Sequence, residues 1–386
     1  MKVLFDSQIF DQQSHGGISR FFVELFRHLP KHIEQAMALV ETDNVYLTRP
    51  GLPHIGDTQR TFTNGHDSWW WRMRYKMHYQ FKYGKYSQWD KTPNLNRLEQ
   101  ERLFAQKDFD VFHPTYFDPY FLPMLGKKPF VLTVHDMIPE LYSQYSLPGD
   151  KQAEWKRQVI PHATHIVTVS EHTRHDLIRL MHVPEEKISV IPHGVDETPY
   201  TPSVQRPFDF EYILFVGGRY LYKNFIPFCR ACQPVLKRHS TLKVVCTGLP
   251  FSDEEKQYID SLGLSGRFVQ IFVDGNQQLL DLYHHAVAFV FPSEYEGFGL
   301  PILEAYKADC PVMLNHASCF PEVAGDAAIY FHINEQHSDF EEQFETLYHL
   351  DANERSLLLA RQRKQLERYS WTTAAQNYAQ VYETVK

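Results

Sequence analysis

The chain repeats one pattern twice. Short apolar runs of strand character, each followed by a loop and then by apolar residues at helical spacing, occur at 2–5, 36–40, 111–112, 130–134, 165–169 and 188–191. Such alternation builds βαβ units on a parallel sheet. It breaks at 197–207, where Pro199, Pro202 and Pro207 fall among few apolar residues, a composition suited to an interdomain linker. The pattern resumes at 212–216, 242–246, 268–273, 286–291, 311–314 and 328–331. An α/β protein with two Rossmann-like domains in tandem is therefore expected, over residues 1–200 and 208–370. A length of 386 residues suits two domains. The closing segment from Phe340 is helical in composition, charged at 354–368 and amphipathic at 371–385, and its periodicity does not say where it packs.

Composition excludes several functions. With 39 Lys and Arg against 47 Asp and Glu, the net charge of −8 holds no basic excess for a phosphate backbone, so no nucleic-acid partner is expected. The longest apolar stretch of the second half, Ala286 to Phe291, is far below the roughly 20 residues of a spanning helix. The N-terminus shows no export signal, so a cytoplasmic location is expected. Five cysteines, all after residue 228, fit no disulfide framework, and Cys229 and Cys232 sit at core-like helical positions. One segment departs from the acidic average: between Trp69 and Lys91, nine aromatic residues alternate with six Lys and Arg. It reads either as a self-packed excursion or as an acceptor-side or membrane-facing surface.

Two segments carry chemistry. In the first, strand 2–5 leads through Gly16-Gly17 into a helix whose apolar positions Ile18, Phe21, Phe22, Leu25, Phe26 and Leu29 precede Pro30. A glycine pair lets backbone approach a ligand, and the free N–H groups of a helix start can hold an anion. In the second, a buried strand ends at Phe291 and a loop carrying Glu296, Gly297 and Gly299 enters a helix at Leu300-Pro301, with Glu304 in its early turns. Both carboxylates can then face the crevice at the carboxyl edge of the sheet, where open α/β folds bind ligands.

Glu296 and Glu304 form an E-x7-E pattern, and the segment Phe291 to Glu304 resembles the donor-binding motif of the family 4 glycosyltransferases. The likeness extends through Gly16-Gly17-Ile18-Ser19-Arg20, Thr133 to Pro139, Val169 to Arg174, Ile191-Pro192-His193-Gly194-Val195-Asp196, Phe215 to Gly218, Lys223-Asn224 and Phe320 to Ala328. It is strongest to the mannosyltransferase-like branch of bacterial surface-polysaccharide synthesis. The resemblance implies a GT-B fold whose two domains face across a cleft, with the last helix, 371–386, returning to the first domain. It implies a retaining, metal-independent transfer of a hexose from a nucleotide sugar to a glycan or lipid-linked acceptor, with GDP-mannose favoured over UDP-sugars and no cofactor.

Roles follow from the same likeness. Glu304 would bind the ribose, and Glu296 with the backbone of Phe298, Gly299 and Leu300 would hold the donor sugar and distal phosphate. Lys223 and Arg219, beside Gly218, would neutralise the diphosphate. Tyr222 stands where the family commonly has an arginine. His135, Gly16 and Gly17 would face these groups from the first domain. Asp108-Phe109-Asp110 spells the D-x-D metal motif of a different glycosyltransferase fold and reads as coincidence, so no metal ligand is expected. Contact through residues 69–91 would place the enzyme peripherally on the inner face of the membrane; the alternatives are an epimerase or phosphorylase of the same architecture, and an inactive glycan- or nucleotide-binding partner of a membrane assembly.

Overall fold

A computed structural model describes the chain except residues 41, 48–94, 146–148, 220 and 335. The aromatic, basic segment 69–91 lies outside the described residues. The first domain holds strands β1 (Lys2–Phe5), β2 (Glu34–Met37), β3 (Val111–His113), β4 (Val131–Val134), β5 (His165–Thr168) and β6 (Ile188–Val190). They form two three-stranded ribbons, β2-β1-β3 and β4-β5-β6, joined by a parallel bridge between Phe112 and Phe130. Every pairing within them is parallel. Strand β2 lies earlier than the apolar run at 36–40 suggests. It pairs from Lys2↔Glu34 to Phe5↔Met37, so the four residues of β1 set its length.

The second domain is one six-stranded parallel sheet, β12-β11-β10-β7-β8-β9. Its strands are β7 (Tyr212–Phe215), β8 (Lys243–Thr247), β9 (Phe268–Ile271), β10 (Ala288–Phe291), β11 (Val312–Asn315) and β12 (Ile329–Phe331). All residues of β7, β10 and β11 are buried, as expected of central parallel strands covered on both faces. The chain runs outward from β7 through β8 to β9 and then returns to β10 on the other side of β7. That reversal opens a crevice between the carboxyl ends of β7 and β10.

The last helix, Trp371–Val385, belongs to the first domain's core. Trp371, Ala375, Tyr378 and Tyr382 are buried there with Phe5, Phe21, Phe22 and Val134. Each large apolar side chain so buried is worth about 1.5–3 kcal/mol. Polar atoms tie it as well: the Tyr382 hydroxyl lies 2.7 Å from His113 Nδ1 and the Tyr378 hydroxyl 3.0 Å from Thr133 Oγ1. To reach this place the chain passes the linker, with Val195 bridging Ser370. The two crossings touch so closely that a Cβ on Gly194 would run into the backbone of Ser370 and Trp371. All five cysteines are buried free thiols, with Cys229 and Cys232 on the inner face of the helix Phe225–Arg238. Burial pushes both thiols well above their ordinary pKa, which makes them packing groups.

Candidate active site

The segment after β10 is held by side chains of three neighbouring elements. Asn224 Nδ2 donates to Pro292 O, Asn315 Nδ2 to Ser293 O, and the N–H of Glu294 to Tyr222 O. Ser318 clamps Glu296, accepting from its N–H at 3.0 Å and donating to its carbonyl at 2.7 Å. Glu296 is thereby fixed at the crevice. Its carboxylate pairs at 2.5 Å with Lys223, which ends the single turn Leu221–Lys223 after β7. The ammonium also lies 5.2 Å from the centre of the Phe291 ring. Two residues that the likeness joins are thus brought together by loops from the two strands flanking the crevice.

Gly299 caps the next helix, Leu300–Lys307, at φ 95°, a left-handed conformation that favours glycine. Of the opening residues of that helix, Pro301 has no N–H and Ile302 donates its own to Gly299 O, which leaves the N–H of Leu300 to meet an anion. Phe298 is turned inward: its buried ring meets His193 at 4.9 Å and Tyr369 at 5.6 Å, and its carbonyl accepts from Cys319 Sγ. Glu304 points across the cleft, its Oε1 2.5 Å from Arg20 of the first domain and its Oε2 3.4 Å from the Tyr283 hydroxyl. Gly217, at φ 106° beside Gly218, begins the β7 loop and donates its N–H to Thr247 Oγ1.

The first domain meets this surface directly. His135 follows β4, and its backbone packs so tightly on the glutamate loop that a Cβ on Gly297 would collide with its carbonyl oxygen. The His135 ring is buried between Phe21 at 5.0 Å and a stacked His193 at 5.7 Å, with no hydrogen-bond partner for Nε2 among the described residues. Burial above all, with lesser repulsion from His113 and Lys156, lowers its pKa to about 3. A neutral imidazole at physiological pH can orient a hydroxyl through its one N–H or its bare nitrogen but lacks the acidic proton of an imidazolium. Lys156, itself fully buried, holds the Asp136 carbonyl at 2.7 Å and pairs with Glu140 at 3.1 Å, which fixes the loop's path. Gly16 caps the helix Gly17–His28, and beyond Gly17 the space is open: a Cβ there would touch nothing within 4 Å.

Three sequence-derived candidates sit elsewhere or are used otherwise. Arg219 turns into its own domain, donating to Glu255 at 2.8 Å and to the carbonyls of Leu249 and Pro250, with its guanidinium over Phe251. It ties down the loop after β8 and is not brought beside Lys223 and Glu296. Asp108 and Asp110 lie at the amino end of β3, opposite the crevice edge, engaged by Lys2 and Lys386. The site also uses residues that sequence reasoning gave no role. Arg20 stands in the first turn of a helix, where the dipole disfavours a cation, and that misplaced charge was the available signal for a distant anion. Ser318 and Tyr283 left no such mark. Each acts through one atom that only the fold brings to the site.

Two Rossmann-like domains facing across a cleft, with the chain's last helix returning to the first domain, define the GT-B class of glycosyltransferases. Solved structures agree. The chain superposes over its whole length on Anabaena HepE in complex with UDP and glucose, with a TM-score of 0.67, 16% identity and 100% of that chain covered. It superposes equally on a sucrose-phosphate synthase of Thermosynechococcus elongatus, with a TM-score of 0.67, 15% identity, and 100% and 98% of the two chains covered. Residues 15–198 match the family described as Glycosyltransferase Family 4, and residues 198–365 match Glycosyl transferases group 1. The chain belongs to the family 4 glycosyltransferases. Among its relatives, the O-antigen chain mannosyltransferase RfbU of Salmonella typhimurium is 27% identical over 217 residues, 56% of this chain and 60% of that protein's length. The O-antigen chain mannosyltransferase B of Escherichia coli is 26% identical over 302 residues, 74% and 77% of the two chains.

Proposed function

We propose that the protein transfers a hexose, with retention, from a nucleoside-diphosphate sugar to a glycan or lipid-linked glycan acceptor during surface-polysaccharide synthesis. One observation carries the reading: Lys223 and Glu296 pair at the carboxyl edges of β7 and β10, and the next residue of the glutamate loop, Gly297, lies directly against the His135 carbonyl of the other domain. The two O-antigen chain mannosyltransferases support mannose as the sugar, and the family likeness favours GDP as its carrier, with UDP-sugars next. Glu304 accepts from the ribose hydroxyls, and the helix opening at Leu300 receives the distal phosphate. Lys223 leaves Glu296 for the diphosphate as negative charge grows on its oxygens. The bond from the anomeric carbon to the diphosphate oxygen breaks, a bond to the acceptor oxygen forms, and the acceptor's proton passes to the departing diphosphate. This scheme asks nothing of a metal or a titrating histidine. The acceptor docks from the first-domain side, and the basic, aromatic stretch 69–91 suits it to an anionic membrane face by composition alone.

The experiment is a panel of nucleotide sugars scored by thermal shift and by hydrolysis, with and without EDTA. Stabilisation and slow hydrolysis by one sugar nucleotide, unchanged by EDTA, is expected. Hydrolysis abolished by EDTA would refute the metal-independent scheme, and turnover of the donor to an isomeric sugar would make the protein an epimerase.

A further inference from the structure

The ion pair between Arg20 and Glu304 joins residues 284 positions apart on opposite sides of the cleft. Both side chains are largely buried, the guanidinium 20% and the carboxylate 13% exposed. Taking an arginine out of water is costly, and its place near a helix N-terminus adds to the cost, so the pair needs a compensating use. Burial works against the charged guanidinium, yet Glu304, with Tyr46 and Glu24, holds its pKa above the ordinary value.

The geometry of the carboxylate says what that use is. Oε1 is locked by a charge-assisted bond at 2.5 Å, whereas among the described residues Oε2 has only a long contact of 3.4 Å to the neutral Tyr283 hydroxyl. An ionised carboxylate offers about four lone-pair sites. One oxygen is therefore anchored and the other is left with capacity for further donors. Other contacts across the cleft do without Arg20: Ser170 donates to Gly297 O, Glu322 accepts from the N–H groups of Glu171 and His172, and the Tyr295 hydroxyl donates to Asp176.

We propose that Arg20 is a positioning residue for Glu304: from the first domain it fixes one carboxylate oxygen so that the other meets the ribose diol of a nucleoside diphosphate. Diol recognition is then complete only when the two domains are closed. The inference rests on the reading of Glu304 as the ribose acceptor, and the test separates the two.

The measurement is the affinity of the full-length protein for GDP and UDP and for their 2′,3′-dideoxy forms, by calorimetry. Wild-type protein should prefer the ribose forms by about tenfold or more, the worth of a charge-assisted hydrogen bond. Arg20→Met should erase most of that preference while leaving dideoxy affinity unchanged. Glu304→Gln should do the same, and the double variant should lose no more than either single one. Arg20→Gln reads the same quantity should the methionine variant not fold. If Glu304→Gln erases the preference and the Arg20 variants keep it, the positioning role is wrong and the ribose reading stands. If Glu304→Gln keeps the preference, the ribose reading fails and this inference with it. Equal loss of ribose and dideoxy affinity in the Arg20 variants would make Arg20 a phosphate ligand or a structural residue, and tighter binding would make it a competitor for the carboxylate.

Discussion

Each of the two site carboxylates is neutralised by one cation, but the cations differ in origin. Glu296 is held by Lys223 from its own domain and Glu304 by Arg20 from the other. The lysine is a flexible point charge on a one-turn segment, suited to changing partners when a diphosphate arrives. Its benefit is greatest when the leaving group carries full charge, so it acts mainly on the transition state. Lys223→Ala is therefore expected to lower kcat by about 10²–10³, the range for removing one preorganised donor, with a smaller change in KM. Steady-state kinetics on the preferred sugar nucleotide checks this. An unchanged kcat with a raised KM would reduce Lys223 to ground-state binding.

At the scale of the element, the last helix shows how a polar network fixes a helix on a foreign core. His113 is buried, with Nδ1 against the Tyr382 hydroxyl at 2.7 Å and Nε2 against Thr133 Oγ1 at 2.9 Å. Thr133 in turn meets Tyr378. These bonds choose one axial position for a helix whose apolar face alone would tolerate sliding. Tyr382→Phe keeps the ring but strands the imidazole Nδ1 in the core. A loss of about 1–3 kcal/mol is expected, the cost of an unsatisfied buried polar atom. Chemical denaturation should register it, and an unchanged midpoint would mean that water replaces the hydroxyl.

The whole molecule is organised around a closed cleft with three neutral histidines at or behind it. Gly297 sits where the domains touch backbone to backbone, so Gly297→Ala must push the His135 loop away. The contact is flanked by the core residues Phe298 on one side and Val134 and Met137 on the other, so transfer should fall sharply and thermal stability should fall with it. Activity assays with calorimetry on one preparation test this, and full activity would place the productive state in a more open arrangement. The histidines set the acid limit. Burial lowers the pKa of His113 and His135 from 6.5 to about 3, and that of His193 well below 6.5. As pH falls below about 6.5 the unfolded chain takes up protons that the native rings refuse, so stability declines between pH 6.5 and 3. Denaturation midpoints should drop from pH 7.5 to pH 5, and equal midpoints would show that these rings titrate in the native state.

By itself, the sequence determined where the strands of the described residues fall along the chain, and the loop–helix segment holding Glu296 and Glu304. Those features are local: a fully buried parallel strand must be a short apolar run, and a helix entered through Gly299 and Pro301 announces itself in a few residues. Strand ends moved by one to three residues because pairing partners set them, as β1 does for β2. The role expected of Lys223 came from family likeness, and the structure places it after β7 against Glu296. Arg219, equally close in sequence, was decided by the fold, which gives its guanidinium Glu255 and two carbonyls as partners. The destination of the last helix came from family likeness, since its amphipathic face fits any apolar surface. Only the tertiary structure could pair Arg20 with Glu304 or press Gly297 onto His135. Those contacts span the cleft, and periodicity within either domain carries no information about what the other will bring to meet it.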